Sequence, residues 1–158
     1  MKRVISLFVA GLLLITTLAI AGSNVPPLPS DVKIDYSTES PWTGIWLGTW
    51  ESKAGNGDIT LVVESLSGNI AIIVWSWYDV RSVTSPQLKY ETSGFARMTA
   101  TIKDRTMKTS WGRNKYVFKL HENGLFLDLE RYNKGRKFNV AFTKCIQGLA
   151  PFYPKLTE

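Results

Sequence analysis

The feature of this sequence that most constrains its fold is an alternation of apolar and polar residues with period two between Trp42 and Lys144. Runs of turn-forming residues interrupt the alternation at short intervals. Because successive side chains of a strand point to opposite faces, each run predicts a strand with one buried face. The stretch shows no helical period and no repeat of solenoid length, so the sequence predicts an all-β domain.

Eight strands are predicted, and most of them present one apolar face. The third is apolar on both faces, which predicts that it is covered on both sides or carries exposed aromatic side chains. A long polar loop is predicted at 79–91. The first five predicted strands cover 42–51, 58–66, 70–78, 94–103 and 106–111. The inward face of the sixth strand carries Tyr116, Phe118 and Leu120. That of the seventh carries Leu125, Leu127 and Leu129, and that of the eighth carries Phe138, Val140 and Phe142.

Eight consecutive antiparallel strands with one apolar face each can bury that face by closing on themselves. An up-and-down barrel also removes the edge strands that would otherwise template aggregation. The alternative is a two-sheet sandwich, which needs crossing connections, and only the predicted loop at 79–91 is long enough to cross comfortably. The sequence therefore favours an eight-stranded antiparallel up-and-down barrel.

The N-terminus predicts an export signal. Lys2 and Arg3 precede an uncharged stretch at 4–21, and residues 19–21, Ala-Ile-Ala, have the form of a signal-peptidase site. The alternative is an uncleaved membrane anchor. With cleavage after residue 21, we expect a secreted or periplasmic protein without stable membrane insertion, consisting of a Pro-rich linker at 22–41, a barrel domain at 42–145 and a C-terminal tail at 146–158.

Composition excludes several classes of function. One cysteine excludes a disulfide scaffold and a Cys-rich zinc module, and one histidine excludes a multi-histidine metal site. Without Lys2 and Arg3, the remaining 17 basic and 13 acidic side chains leave a net charge of +4, too weak by itself to indicate nucleic acid. We expect no metal and no cofactor.

The first predicted strand alternates tryptophan and glycine on one face: Trp42, Gly44, Trp46, Gly48 and Trp50. Glycine weakens a strand, and its usual role there is to admit the close approach of another group or a sharp bend. Here it leaves space for large rings and for the coiling that a small barrel needs. The indoles either pack the end of the barrel or form a platform for a ligand.

A family resemblance rests on this strand. Thr43-Gly44-Ile45-Trp46 resembles the Gly-x-Trp signature of the calycin group, which includes lipocalins, fatty-acid-binding proteins and avidins. Together with 44–51, the stretches 61–64, 74–79 and 124–131 make 42–144 resemble an uncharacterised bacterial secreted domain with a small lipocalin-like barrel. The resemblance implies a basic side chain over the signature tryptophan, and Lys144 is the candidate for Trp46. Gly44, Trp46, Gly48 and Lys144 are therefore assigned structural roles.

Barrel topology sorts the candidate binding residues to one end. If the first strand starts at the closed base, the connections after strands one, three, five and seven lie at the mouth, and they carry most of the basic loop residues. Aromatic rings offer flat apolar area, and guanidinium groups offer forked donors for carboxylate, phosphate or sulfate. The predicted ligand-binding residues are Trp50, Trp77, Tyr78, Arg81, Trp111, Arg113 and Arg136.

Catalytic motifs give little support for an enzyme. The sequence has no Gly-x-Ser-x-Gly elbow, no phosphate-binding loop and no His-Glu-x-x-His pair. His121, Cys145 and a carboxylate pair formed by Asp79 and Glu91 are weak candidates. We therefore expect a non-catalytic protein that binds a small amphipathic or acidic molecule in the barrel or at its mouth. The alternatives are an envelope accessory module that binds glycan or protein through an aromatic and basic rim, and an enzyme without a recognisable motif.

Overall fold

Eight antiparallel strands and a preceding extended segment make up the described part of the chain. The computed structural model describes residues 26–52, 55–83, 85–134 and 136–145, and the predicted signal and C-terminal tail lie outside them. The strands are β1 (Gly44–Ser52), β2 (Gly55–Ser67), β3 (Ile70–Val83), β4 (Ser85–Lys103), β5 (Thr106–Trp111), β6 (Asn114–Leu120), β7 (Phe126–Asn133) and β8 (Arg136–Lys144).

The strands close into one barrel in sequence order, and β1 pairs with β8 to complete it. Every pairing between neighbours is antiparallel. The prediction of an all-β, eight-stranded up-and-down barrel is confirmed, and the sandwich is excluded. The β2–β3, β4–β5 and β6–β7 turns lie at one end, which we call the base, and the other connections lie at the mouth.

The predicted loop at 79–91 is wrong. β3 continues to Val83 and β4 begins at Ser85, and the two form a long hairpin in which Asp79 pairs with Thr92 and Val80 with Glu91. The segment has no apolar face, so hydrophobic periodicity could not reveal it. Its pairing rests on main-chain hydrogen bonds, which are indifferent to side-chain polarity.

The interior is filled with apolar side chains from the base to the middle of the barrel. Ile59, Leu61 and Val63 of β2 point inward, as do the predicted Phe118, Leu127 and Phe142. Leu125 does not, because it precedes β7 and is exposed. The buried interior cluster also contains Trp46, Ile73, Trp75, Met98, Met107, Tyr116, Phe118, Leu127, Leu129, Val140 and Phe142. A ligand deep inside the barrel would have to displace this packing, so the space for one lies at the mouth.

Toward the mouth, the barrel divides into two walls. β4 pairs with β5 only from Thr101 to Lys103, and β1 pairs with β8 only from Trp46 to Gly48, so both seams are closed near the base. Farther up, the Thr109 hydroxyl donates a hydrogen bond across the β4–β5 seam to the Thr99 carbonyl at 2.7 Å. We call β1–β4 the first wall and β5–β8 the second wall.

Residues 26–41, which we call the N-terminal strap, run along the outer face of the first wall. Val32 packs against Ile45, Val62 and Val74, and so buries the outer face of three strands. This explains why β3 is apolar on both faces. The sequence predicts a linker at 22–41, and the structure places the described part of it against the barrel.

Arg97 fixes the strap to the barrel through two carboxylates. Glu64 follows the inward-facing Val63 and therefore lies on the outer face, at a β-bulge between Val63 and Ser65. Its carboxylate accepts a hydrogen bond from Arg97 Nε at 2.8 Å. The same guanidinium donates two hydrogen bonds of 3.0 Å to Asp31 of the strap. The strap backbone adds a hydrogen bond of 2.7 Å from Asp35 N to the Glu64 carbonyl.

Candidate functional site

A cleft of about 210 Å³ opens at the mouth between the two walls. We call it the mouth cleft. Its floor is aromatic, because Trp75 and Tyr116 end the filled part of the interior. The first wall contributes Trp50, Ile59, Trp75, Trp77, Asp79 and Thr92, and the second wall contributes Trp111, Asn114, Tyr116 and Arg131.

Arg131 brings the positive charge of the mouth cleft. It follows Leu127 and Leu129 on the inward face of β7, so its guanidinium is half-buried among the cleft-lining residues. Its Nε donates a hydrogen bond to Asn114 Oδ1 at 3.2 Å, and its Cζ lies 5.7 Å from the centroid of the Phe138 ring. Among the described residues, none of the ion pairs includes Arg131. The guanidinium is oriented by neutral neighbours.

Trp50 and Asp79 form a hydrogen bond on the opposite wall. Trp50 Nε1 donates to Asp79 Oδ1 at 3.0 Å, and the Asp79 side chain is buried. Gly57 on the intervening strand makes this possible, since a Cβ there would lie 2.5 Å from Trp50 Nε1 and 2.6 Å from Asp79 Oδ1. The hydrogen bond fixes the orientation of the Trp50 ring at the rim.

Trp77 and Trp111 bring the two walls into contact above the β4–β5 seam. Their ring centroids lie 5.3 Å apart at an interplanar angle of 42°. Gly94, the β4 partner of Trp77, provides the space, because a Cβ there would lie 2.7 Å from Trp77 Cζ2. Trp111 is 43% exposed, so the pair offers ring surface to a molecule in the mouth cleft.

Tyr116 is a neutral hydrogen-bonding group at the floor. Burial raises the pKa of its hydroxyl, while the positive charge of Arg131 and a hydrogen bond with Asn114 act in the opposite direction. Its ring packs against Trp75 with centroids 5.1 Å apart. The hydroxyl therefore keeps its proton at neutral pH.

Three of the predicted ligand-binding residues line the mouth cleft together: Trp50, Trp77 and Trp111. Tyr78 does not, because it follows Trp77 on the strand and points to the outer face. A hydrogen bond with Glu91 there raises the pKa of Tyr78 to about 12. Tyr78 borders a separate outer hollow of about 170 Å³, together with Thr49 and Asp58.

The backbones of the three predicted arginines lie at the mouth end of the barrel. Arg113 is exposed in the β5–β6 turn. Arg81 pairs with Gly55 in the β2–β3 ladder, and Arg136 is the first residue of β8, so their backbones lie at the same end. The structure does not describe their side chains.

The residues assigned structural roles lie together at the base. Lys144 Nζ lies 5.2 Å from the centroid of the Trp46 ring and donates a hydrogen bond to the Pro41 carbonyl at 2.8 Å. Gly44 has a φ of +125°, a conformation that favours glycine, beside Lys144. Gly48 accommodates Phe142, since a Cβ would lie 2.9 Å from Phe142 Cδ1.

The weak catalytic candidates do not meet in the mouth cleft. Asp79 faces inward and Glu91 outward on neighbouring strands, so they form no carboxylate pair. His121 Nε2 lies 2.8 Å from Asp128 Oδ2 on the exposed surface at the base. Cys145 packs beneath the strap. In the described ranges, no group of three or more His, Cys, Asp or Glu side chains could hold a metal ion.

Sequence reasoning missed Arg131, Asn114 and Thr92 as cleft residues. The signal for Arg131 was present, because the period-two pattern that turns Leu127 and Leu129 inward also turns Arg131 inward. The prediction instead favoured arginines in connections, where side chains are ordinarily solvated. Thr92 lay between the predicted loop at 79–91 and the predicted strand at 94–103, so no inward face was assigned to it.

Comparisons with known proteins add no relative. No protein-family model, curated protein or solved structure matches the chain. No helix of sufficient length and hydropathy to cross a membrane is found within the residues that the structure describes. The assignment of a function therefore depends on the geometry of the mouth cleft.

Proposed function

We propose that this protein is a non-catalytic binding protein that takes a small molecule, or the end of a larger one, by its anionic group in the mouth cleft. The observation that carries the proposal is Arg131, a half-buried guanidinium that faces the cleft and has no ion-pair partner among the described residues.

A partly desolvated charge is unfavourable unless a counter-charge or hydrogen bonds compensate it. Arg131 Nε donates its hydrogen bond to Asn114, and the remaining N–H groups of the guanidinium can bind a carboxylate, phosphate or sulfate in a forked geometry. A ligand with such a group would supply the missing counter-charge. The Trp77–Trp111 pair supports an apolar or planar portion next to that group.

The size of the mouth cleft supports a small bound group. Ligand pockets commonly have volumes of about 300–1,000 Å³, whereas the mouth cleft has about 210 Å³ and lies above a filled interior. A long lipid inside the barrel is not supported. A compact acid, or one terminal acidic unit of a longer molecule, fits this volume.

The proposal includes a location and a family. The cationic N-terminus and its uncharged stretch support export to the periplasm or the medium, and N-terminal sequencing of the exported protein would test cleavage after residue 21. The closed eight-stranded barrel is compatible with a lipocalin-like fold. The contact between Lys144 and Trp46 supports the calycin resemblance.

The binding experiment compares matched acid and amide probes. Benzoate and benzamide have similar shapes and differ in charge, and tryptophan fluorescence quenching reports occupation near Trp77 and Trp111. We expect the acid to bind about tenfold more tightly, because a charge-assisted hydrogen bond exceeds a neutral one. Arg131→Gln should abolish that preference. Lys108→Gln, which removes an exposed charge on the outer face of β5, is the matched control.

Two binding results would overturn the proposal. In the first, Arg131→Gln binds benzoate as tightly as the unmodified protein does. In the second, neither benzoate nor the corresponding phosphonate and sulfonate quenches the fluorescence at millimolar concentration. A catalytic activity found in hydrolase assays on the same purified protein would also contradict the proposal.

A further inference from the structure

The mouth turns of the second wall form a compact basic surface. The ladder Trp111↔Asn114, Asn114↔Asn133 and Asn133↔Arg136 sets the β5–β6 and β7–β8 turns side by side. Two strand spacings separate their centres, or about 10 Å. We call Arg113, Lys115 and Lys134, which these turns and their flanks expose, the basic crest.

The basic crest keeps its charge. Among the described residues, none of its three side chains forms an ion pair. Glu130, an acid on the outer face of the same wall, forms ion pairs with Lys119 and Lys137 instead, each with an N···O distance of 3.0 Å. Neighbouring like charges with no counter-charge produce a positive potential that attracts an anionic partner.

Two exposed rings belong to the mouth cleft or contact a residue that lines it. Trp111 ends β5 immediately before the crest, and Phe138, which is 47% exposed, lies below the Arg131 guanidinium. Both rings are held by inward contacts, Trp111 with Trp77 and Phe138 with Arg131. Their exposed surface is available for stacking against a flat apolar group.

We infer that the mouth cleft and the basic crest together bind an acidic polysaccharide, with one acidic unit at Arg131 and the following units along Arg113 and Lys134. The inference rests on the proposed function, since Arg131 holds the first unit in both. Regularly repeated carboxylate or sulfate groups complement the cations of the crest, and sugar rings present apolar faces that stack on aromatic side chains. A single small acid would leave the crest unused.

The test uses galacturonic acid and its linear trimer as probes. We expect the unmodified protein to bind the trimer more tightly than the monomer, with an affinity that falls as salt increases. Charge reversal of the crest in Arg113→Glu/Lys134→Glu should weaken trimer binding about tenfold or more and leave monomer binding unchanged. The control Lys103→Glu/Lys108→Glu makes the same change of charge nearer the base and should bind both probes normally.

The outcomes separate this inference from the proposed function. If the crest variant binds the trimer as the unmodified protein does, or if trimer and monomer bind equally, the inference is overturned while the proposed function stands. If Arg131→Gln leaves monomer binding unchanged, the proposed function fails. If poly-glutamate binds as tightly as the trimer, the crest is a nonspecific surface for polyanions and the inference is overturned. If the protein binds phosphatidylglycerol vesicles through the crest and does not bind the trimer, the crest is a membrane-binding surface and the inference is overturned.

Discussion

The base and the mouth of the barrel use the same residue type for different purposes. At the base, Trp46 is 0% exposed, donates its indole proton to the Trp42 carbonyl at 2.9 Å and lies under Lys144. At the mouth, Trp77 and Trp111 touch each other and keep part of their ring surface open. Both sets lie on inward faces of strands. Whether an inward tryptophan is core or binding surface thus depends on how many neighbours fill the space opposite.

The largest difference between the two ends should come from truncating their tryptophans. Trp46→Ala should lower the free energy of unfolding by roughly 3–5 kcal/mol, because it leaves a cavity in the filled interior. Trp77→Ala should cost roughly 1–2 kcal/mol, because part of that ring already faces solvent, and should weaken ligand binding. Urea denaturation measures the first effect and fluorescence titration the second. Equal losses of stability would erase the distinction between the two ends.

A smaller contrast should come from two interior glycines. Gly48→Ala should cost about 1–3 kcal/mol, because its new methyl group meets Phe142 and the Ala141 carbonyl within the packed base. Gly94→Ala meets the Trp77 ring, which can move toward the open mouth cleft, so we expect a smaller loss of stability and a changed near-ultraviolet circular dichroism spectrum. If Gly94→Ala proves as destabilising as Gly48→Ala, the mouth is packed as rigidly as the base.

The smallest effect on stability should come from Glu130, which lies on the outer face of the barrel and belongs to neither the packed base nor the mouth cleft. Hydrogen bonds from Tyr132, Lys137 and Lys119 lower the pKa of Glu130 from 4.5 to about 2. Because the pKa is lower in the folded state, the stabilisation is complete above pH 4.5 and is lost as the pH falls through about 2. Solvent screens this exposed cluster, so the effect is small.

Carboxyl-carbon NMR titration should place the midpoint of Glu130 near 2. The Glu130→Gln variant should lose stability less steeply than the unmodified protein over the same acid range. A midpoint close to 4.5 would show that the lysine and tyrosine contacts do not hold in solution.

Much of the barrel could be predicted from the sequence, while much of the mouth cleft could not. Phe118, Leu127 and Phe142 lie on inward faces as the alternation indicated, because burial of an apolar face enforces that period. The β3–β4 extension carries no apolar face and gave no such signal. The role of the strap was equally hidden, since extended segments rich in proline have no periodicity even when they cover a sheet.

Local pattern alone determined the strand order, most of the inward-facing residues and the position of the basic connections at one end. These follow from a period of two, short turns and the requirement to bury apolar surface. Only the tertiary structure decided that the interior is filled up to Trp75 and Tyr116, that ladder pairing at the two seams is confined to the part near the base, and that Arg131 faces the opening without a carboxylate partner among the described residues. Those properties depend on distances between strands far apart in the chain, and no local pattern encodes such distances.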